Sequence, residues 1–255
     1  MDALRDRTLL SFVGAVHENR GTSDMCGRLN LIDAPMYAFF AKYLNLPIQI
    51  ETAFNVTPTE SVWTLISNQG VFEAMTMRWW LVPNWSQGPQ NKFSMFNARA
   101  ETVKTSKAYA QPFKRQRCVI PVAGYFEWRD VGGKRQPFKI CRDDGEVLLF
   151  GGLWDQWHGP EGTIISCTII TTEAPASMQP FHHRAPLMLN DTELTEWLDQ
   201  RSAGASLDRL LAPSVPYALS IQDVDAKVNY ARNKSESAQQ AVGDASHIAV
   251  LARPR

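Results

Sequence analysis

The sequence predicts an α+β fold built on one antiparallel or mixed sheet system. Strand-like runs crowd the middle of the chain, helical patterns lie toward the ends and in connections, and Gly/Asp turns separate the strands. Asp33 is placed to cap a helix through "APMYAFFAKYL", with Pro35 in its first turn. "SVWTLI" and "VFEAMTMRWW" flank "SNQG", a hairpin signal. "LVPNWSQGPQNKFS" is rich in Pro, Gly and Asn and reads as a long loop of the kind that often carries function. A short helix is expected from Glu101 to Tyr109. Four strand-like runs follow: "RCVIPVAGYFEWR", "PFKICR", "EVLLFGGLWDQW" and "TIISCTIITT". Gly132-Gly133 and Asp144-Gly145 supply turns between them. "LNDTELTEWLDQ" predicts a late helix capped by Asp191 or Thr192.

Domain organisation follows from length and composition. A chain of 255 residues, 44% hydrophobic and 20% charged, can bury a substantial core without metals or disulfides. Its 26 basic and 26 acidic residues balance, so whole-chain charge points neither to nucleic acid nor to a membrane. The cysteines Cys26, Cys118, Cys141 and Cys167 form no CxxC pair, and no His pair sits at ligand spacing, so no metal site is expected. Their sparse use suits a reducing compartment. No apolar run has transmembrane length. "TLLSFVGAV" loosely resembles a signal peptide, but Asp2 and Asp6 dilute the basic residues before it and no clean cleavage site follows. Residues 1–24 therefore read as a disordered or processed extension, or as a misplaced start. Residues 25–234 read as one domain, and the small, polar residues 235–255 as a disordered tail.

Local charge is less even. From Arg78 to Arg117 eight basic residues face one acid, Glu101, for a net charge of +7. The same segment holds Trp79, Trp80, Trp85, Phe93, Phe96 and Tyr109. Cations bind phosphates and aromatic faces stack on unpaired bases. The plainer reading is a basic surface over ordinary core aromatics. Cys26, in "MCGR", is by base rate a small buried hydrophobe. At a chain terminus its chemistry differs. A free α-amine, with a reference pKa of about 7.7–8.0, is then held beside a thiol. The amine can form a Schiff base with an aldehyde, and the thiol can close a thiazolidine on the same carbon. Asn97 and Arg99 of "FNARAET" share one side of an extended segment, an amide beside a phosphate-gripping guanidinium. Glu127 of "GYFEW" lies among aromatics, where burial raises a carboxyl pKa and makes a general acid/base. "HHRAPLML" brings a histidine and Arg184 together.

Read in order, "MCGR", "FNVTPT", "RWWLVPNW", "FNARAET", "RCVIPVAGYFEW", "GGLWDQW" and "HHRAPLML" resemble the SOS-response-associated peptidase (SRAP) family, from Met25 to about Lys234. The resemblance implies a bent, barrel-like α+β core with flanking helices. It implies a protein that binds single-stranded DNA at abasic sites and cross-links to them through a thiazolidine at an N-terminal cysteine, shielding the lesion. On that pattern the catalytic residues are Cys26, Asn97, Glu127 and His182. Arg28, Arg99 and Arg184 grip phosphates, while Trp79, Trp80 and Trp128 meet the DNA. No cofactor is implied, since the cysteine supplies the covalent chemistry. A monomer is implied, cytoplasmic and nucleoid-associated in a bacterium. Two rivals are a thiol or self-cleaving peptidase using Cys26, and a non-covalent reader of modified single-stranded DNA. The sequence departs from the pattern at Trp80, where Gly is usual, at Ala185, where Met is common, and in the residues preceding Cys26.

Overall fold

The computed structural model describes residues 27–44, 48–89, 93–160 and 162–253. The extension expected over residues 1–24, and Cys26 itself, lie outside the described residues. The chain opens with β1 (Arg28–Leu31), α1 (Asp33–Tyr43) and β2 (Ala53–Val56). The expected hairpin is present as β3 (Ser61–Asn68) and β4 (Val71–Trp79). Gln69 and Gly70 turn it with φ of 51° and 86°, the left-handed pair that matches the strand twist. After the loop comes β5 (Asn97–Arg99), then α2 (Ala110–Arg115), β6 (Arg117–Val122), β7 (Gly124–Val131), β8 (Lys134–Arg142), β9 (Leu148–Gly159) and β10 (Gly162–Glu173). The chain continues through β11 (Arg184–Pro186), α3 (Asp191–Leu198), α4 (Ala205–Leu210), β12 (Leu219–Asp223) and β13 (Ser246–Ile248).

Five strands close a mixed barrel in the order β10, β4, β3, β6, β9 and back to β10. Only the β4–β10 pairing is parallel. β10 is the organising strand. Past β4, its edge is taken up by β5, with Asn97 opposite Ile169 and Arg99 opposite Thr171. Past β9, its other edge takes β11. The loop between β4 and β5 is therefore an excursion from a single sheet edge. A second, antiparallel sheet runs β13-β12-β8-β7-β1-β2. The run "RCVIPVAGYFEWR" supplies one strand to each sheet, with only Ala123 between them. One continuous buried cluster, from Leu29 and Phe40 through Leu65, Phe150 and Trp197 to Ile248, joins both sheets.

Several local expectations change. α1 has Ile32 at its N-cap, and Asp33 instead accepts from its neighbour Ala34 N–H over 2.7 Å. Residues 101–108 form successive turns, and the helix starts only at Ala110. α3 is capped by Asn190, one residue before the expected cap, in a reciprocal capping box with Glu193. The tail is not free. Asn30 Nδ2 donates to Gln239 Oε1, β13 pairs with β12, and Arg253 is buried against Glu193. Composition marked these residues as polar and small, but backbone pairing and one buried ion pair hold them.

Candidate functional site

Gly27, to which Cys26 is bonded, leads directly into β1. In β1, Arg28 lies opposite Phe126 and Leu29 opposite Tyr125 of β7. Carrying that register one step further brings Gly27 level with Glu127. Period two along β7 separates its faces. Tyr125 packs edge-on against Phe150 of the barrel, with ring centroids 5.4 Å apart. Glu127, two residues on, faces the same way, toward the space between the sheets, and is 2% exposed. Its cross-strand partner on β8 is Phe138. The Phe138 ring meets that of Phe181 at 6.0 Å. Phe181 immediately precedes His182, so the fold brings Gly27-Arg28, "GYFEW" and "HHRAP" to one side of the molecule.

His182 is half-buried. Its Nδ1 lies 3.1 Å from the Arg184 backbone nitrogen and 3.3 Å from the Arg184 carbonyl oxygen, accepting from the one or donating to the other according to the ring tautomer. Burial, and then the neighbouring His183 ring stacked 4.4 Å away, hold the imidazole below its ordinary pKa. Arg184 extends from β11 and forks onto Glu101 at 2.6 and 3.1 Å, and onto the Thr171 carbonyl at 2.6 Å. Burial alone would raise the Glu101 pKa. The Arg184 hydrogen bonds outweigh it, and the carboxyl sits below its usual range. Arg184 thus ties "HHRAP" to "FNARAET", an ionic contact in place of the free phosphate grip expected of it. Asn97 is half-buried on β5, with its carbonyl accepting from Tyr109 Oη over 3.3 Å, while Arg99 is exposed. Both belong to the face opposite buried Ala98.

The other face of β7 forms a second surface. Phe126 packs with Val224, Val228 and Trp128 in a small cluster of its own. Trp128 Nε1 donates to Asn229 Oδ1 over 2.6 Å. Arg28 and Arg135 lie 5.6 and 5.8 Å from its ring centre. Arg28 also donates to Asn55 Oδ1 and to the Val228 carbonyl, both over 2.8 Å.

Among the aromatics, one expectation fails. Trp79 is fully buried and donates from Nε1 to the Phe96 carbonyl, so it braces the loop and cannot meet DNA. Trp80 is partly exposed and leans on Phe96. Trp85 and Phe93 present most surface, 51% and 77% exposed, and Lys107 Nζ sits 4.2 Å from the Trp85 ring centre. Arg117 leaves the basic segment's surface. It is 5% exposed and donates to the carbonyls of Trp197, Phe113, Lys114 and Asp199. Sequence reasoning missed Asn55, Glu60, Glu101 and Lys234. Asn55 left one trace: a poor strand former stands between Phe and Val in "FNVTPT". Among the described residues, no group of three or more His, Cys, Asp or Glu could hold a metal, and no helix is long and apolar enough to cross a membrane.

The family described as SOS response associated peptidase (SRAP) matches residues 25–231. The chain belongs to the SRAP family. The SRAP match starts at Met25, so "MCGR" opens the matched region and residues 1–24 precede it. Abasic site processing protein YoqW of Bacillus subtilis (strain 168) is 30% identical over 217 residues, covering 83% of this chain and 97% of that protein. Abasic site processing protein HMCES of Gallus gallus is 33% identical over 150 residues, covering 49% of this chain and 45% of its own length. The crystal structure of a protein from Bacteroides thetaiotaomicron shares the fold, with a TM-score of 0.72 at 23% identity over 84% of this chain and 99% of that one.

Proposed function

We propose that this SRAP protein processes abasic sites in single-stranded DNA by covalent capture at Cys26. One observation carries the reading. In a chain similar to abasic site processing proteins, the residue bonded to Cys26 enters a strand whose register leads to the buried carboxylate of Glu127. The chemistry needs no cofactor. The Cys26 α-amine adds to the aldehyde of the ring-opened sugar, and the adduct loses one water to give a Schiff base. The thiol then adds to the same carbon, and its proton passes to nitrogen. The product is a thiazolidine plus water, with no change in oxidation state.

Glu127 protonates the leaving hydroxyl and, in reverse, assists ring opening. Neutral His182 takes the thiol proton, and the Asn97 amide orients the sugar. Arg28, Arg99 and the aromatics Trp80 and Trp128 hold the strand on either side of the lesion. The protein acts as a monomer, in the cytoplasm and on the nucleoid of a bacterial host.

The amine must be free, so the active form begins at Cys26. Two routes free it: translation that starts at Met25 followed by trimming of Met25, or hydrolysis of the Met25–Cys26 bond by the protein itself, for which the peptidase in the family's description speaks. The test is a denaturing gel of abasic single-stranded DNA incubated with three proteins: one starting at Cys26, the same with Cys26→Ser, and the full chain. Only the first is expected to give a covalent band at once. A full chain that acquires the band as its mass falls to the Cys26 form supports self-cleavage. An equally strong band from full chain of unchanged mass would overturn the amine mechanism.

A further inference from the structure

We propose that Asn55 is a positioning residue for the Cys26 terminus, bolting the start of β1 to residues 228–234; the inference rests on the capture reading above. Asn55 is 2% exposed, so its amide has to find partners inside the protein. Its φ of 52° lies in the left-handed region, which Asn tolerates better than other side chains do.

Every polar group of the residue is engaged. Oδ1 accepts from Arg28 Nη1 over 2.8 Å. Nδ2 donates to the carbonyls of Val228, Tyr230 and Asn233 at 3.2, 3.2 and 3.0 Å. The backbone N–H donates to Asn30 Oδ1 over 3.1 Å, and the backbone carbonyl accepts from Lys234 Nζ over 2.8 Å. Lys234 reaches on to Glu60 at 2.5 Å, and Glu60 holds the Thr57 N–H and hydroxyl. Burial would raise the Glu60 pKa, but the bonds from Lys234 and Thr57 hold it below the usual range.

Such a hub could serve stability alone. Its location argues for more. It gathers groups from β1, β2 and the 228–234 segment at the point where the chain enters β1. Two of its partners, Arg28 and Asn30, sit two and four residues after Cys26. β1 is the strand that leads from Gly27 to the level of Glu127, so its placement bears on where the amine and thiol are presented. Reacting atoms must lie about 3–3.5 Å apart, and a displacement of about 1 Å can cost about 10²-fold in rate. Loosening Arg28 and the 228–234 segment therefore disturbs the capture step more than strand binding, which is spread over many phosphate contacts.

The test uses Asn55→Gly, which keeps the left-handed backbone accessible and removes only the amide. Protein beginning at Cys26 is compared with wild type in three measurements: cross-linking rate at saturating abasic single-stranded DNA, affinity for the intact strand, and DNA-free capture of propanal as a thiazolidine. Expected is a loss of about 10–100-fold in cross-linking rate, with intact-strand affinity within about threefold. Propanal capture should slow in step. A folded variant whose rate is unchanged overturns the proposal, as does a rate that falls only in proportion to affinity. If Asn55→Gly does not fold, Lys234→Met takes its place, and an unchanged rate there overturns the proposal. Wild type that captures propanal but not abasic DNA would sink the abasic reading, and the propanal rates of the two proteins would then decide the role of Asn55.

Discussion

His182 shows how far a single side chain can be read. Its presence beside an arginine was legible in "HHR", but its protonation state was not, because that depends on what the fold packs around it. Burial and the adjacent His183 ring lower its pKa, and they outweigh the backbone hydrogen bond to Arg184, which raises it. If His182 is the base for the Cys26 thiol, the acidic limb of the cross-linking rate lies below the ordinary histidine value of about 6.5. His183→Ala removes the second of the depressing causes, so the limb should move up toward about 6.5. A pH–rate profile at saturating DNA checks both, and a wild-type limb at or above that value contradicts the assignment. The stability consequence has a definite sign. The folded ring binds fewer protons than the unfolded one between its lowered pKa and about 6.5, so its contribution is complete above that pH and is lost as pH falls through the folded value. Glu127 was legible for a similar reason, as an acid within an aromatic strand. Asn55 and Glu101 were not, because the carbonyls that the Asn55 amide nitrogen meets lie 173 to 178 residues away in the chain and the Arg184 that pairs with Glu101 lies 83 away.

Elements were easier to read than their assembly. The strands from β6 to β10 and the β3–β4 hairpin follow directly from their apolar runs and turn residues. That the run across Ala123 divides between two sheets did not, since both halves carry the same apolar signal. The closing strand β9 depends on two glycines that the sequence shows only as "GG". A Cβ on Gly152 would lie 2.3 Å from Ile120 Cδ1, 2.7 Å from the Thr168 carbonyl oxygen and 3.1 Å from Cys118 Sγ. One of those neighbours is backbone in the paired strand β10 and cannot step aside without opening the barrel. On Gly151 the near atoms are the Leu187 Cδ2 at 2.6 Å and Cγ at 3.1 Å, parts of a side chain that can rotate. Gly152→Ala is therefore expected to cost about 1–3 kcal/mol and Gly151→Ala less. Urea midpoints of the two variants decide it, and an equal or reversed order would mean that β9 is not packed as closely as the barrel requires.

At the scale of the whole molecule, the least legible part is the end of the chain. Polar, small-residue composition reads as disorder, because pattern-based reading counts apolar residues and cannot see one buried ion pair. Arg253 provides it. Its guanidinium donates to Glu193 Oε2 over 2.6 Å and to the Ala212 and Met188 carbonyls at 2.9 and 2.7 Å. Glu193 is also the reciprocal partner in the α3 capping box, so Arg253 and α3 meet at one carboxylate, and the same guanidinium reaches the Met188 carbonyl. Burial lowers the Arg253 pKa, and the hydrogen bond and charge of Glu193 oppose that shift. Removing one partner of such a pair strands the other charge in a dry site, a loss of about 3–5 kcal/mol. Arg209, 3.9 Å from the other Glu193 oxygen, remains as partial compensation. Arg253→Met should thus cost about 3 kcal/mol, a large share of the roughly 5–15 kcal/mol that holds a domain folded. The double variant Arg253→Met with Glu193→Gln should recover part of that loss, because the stranded charge is gone. Chemical denaturation of the three proteins tests the argument. If Arg253→Met unfolds at the wild-type midpoint, the chain end is not anchored to α3, and the order seen from Glu236 to Arg253 adds nothing to the stability of the fold.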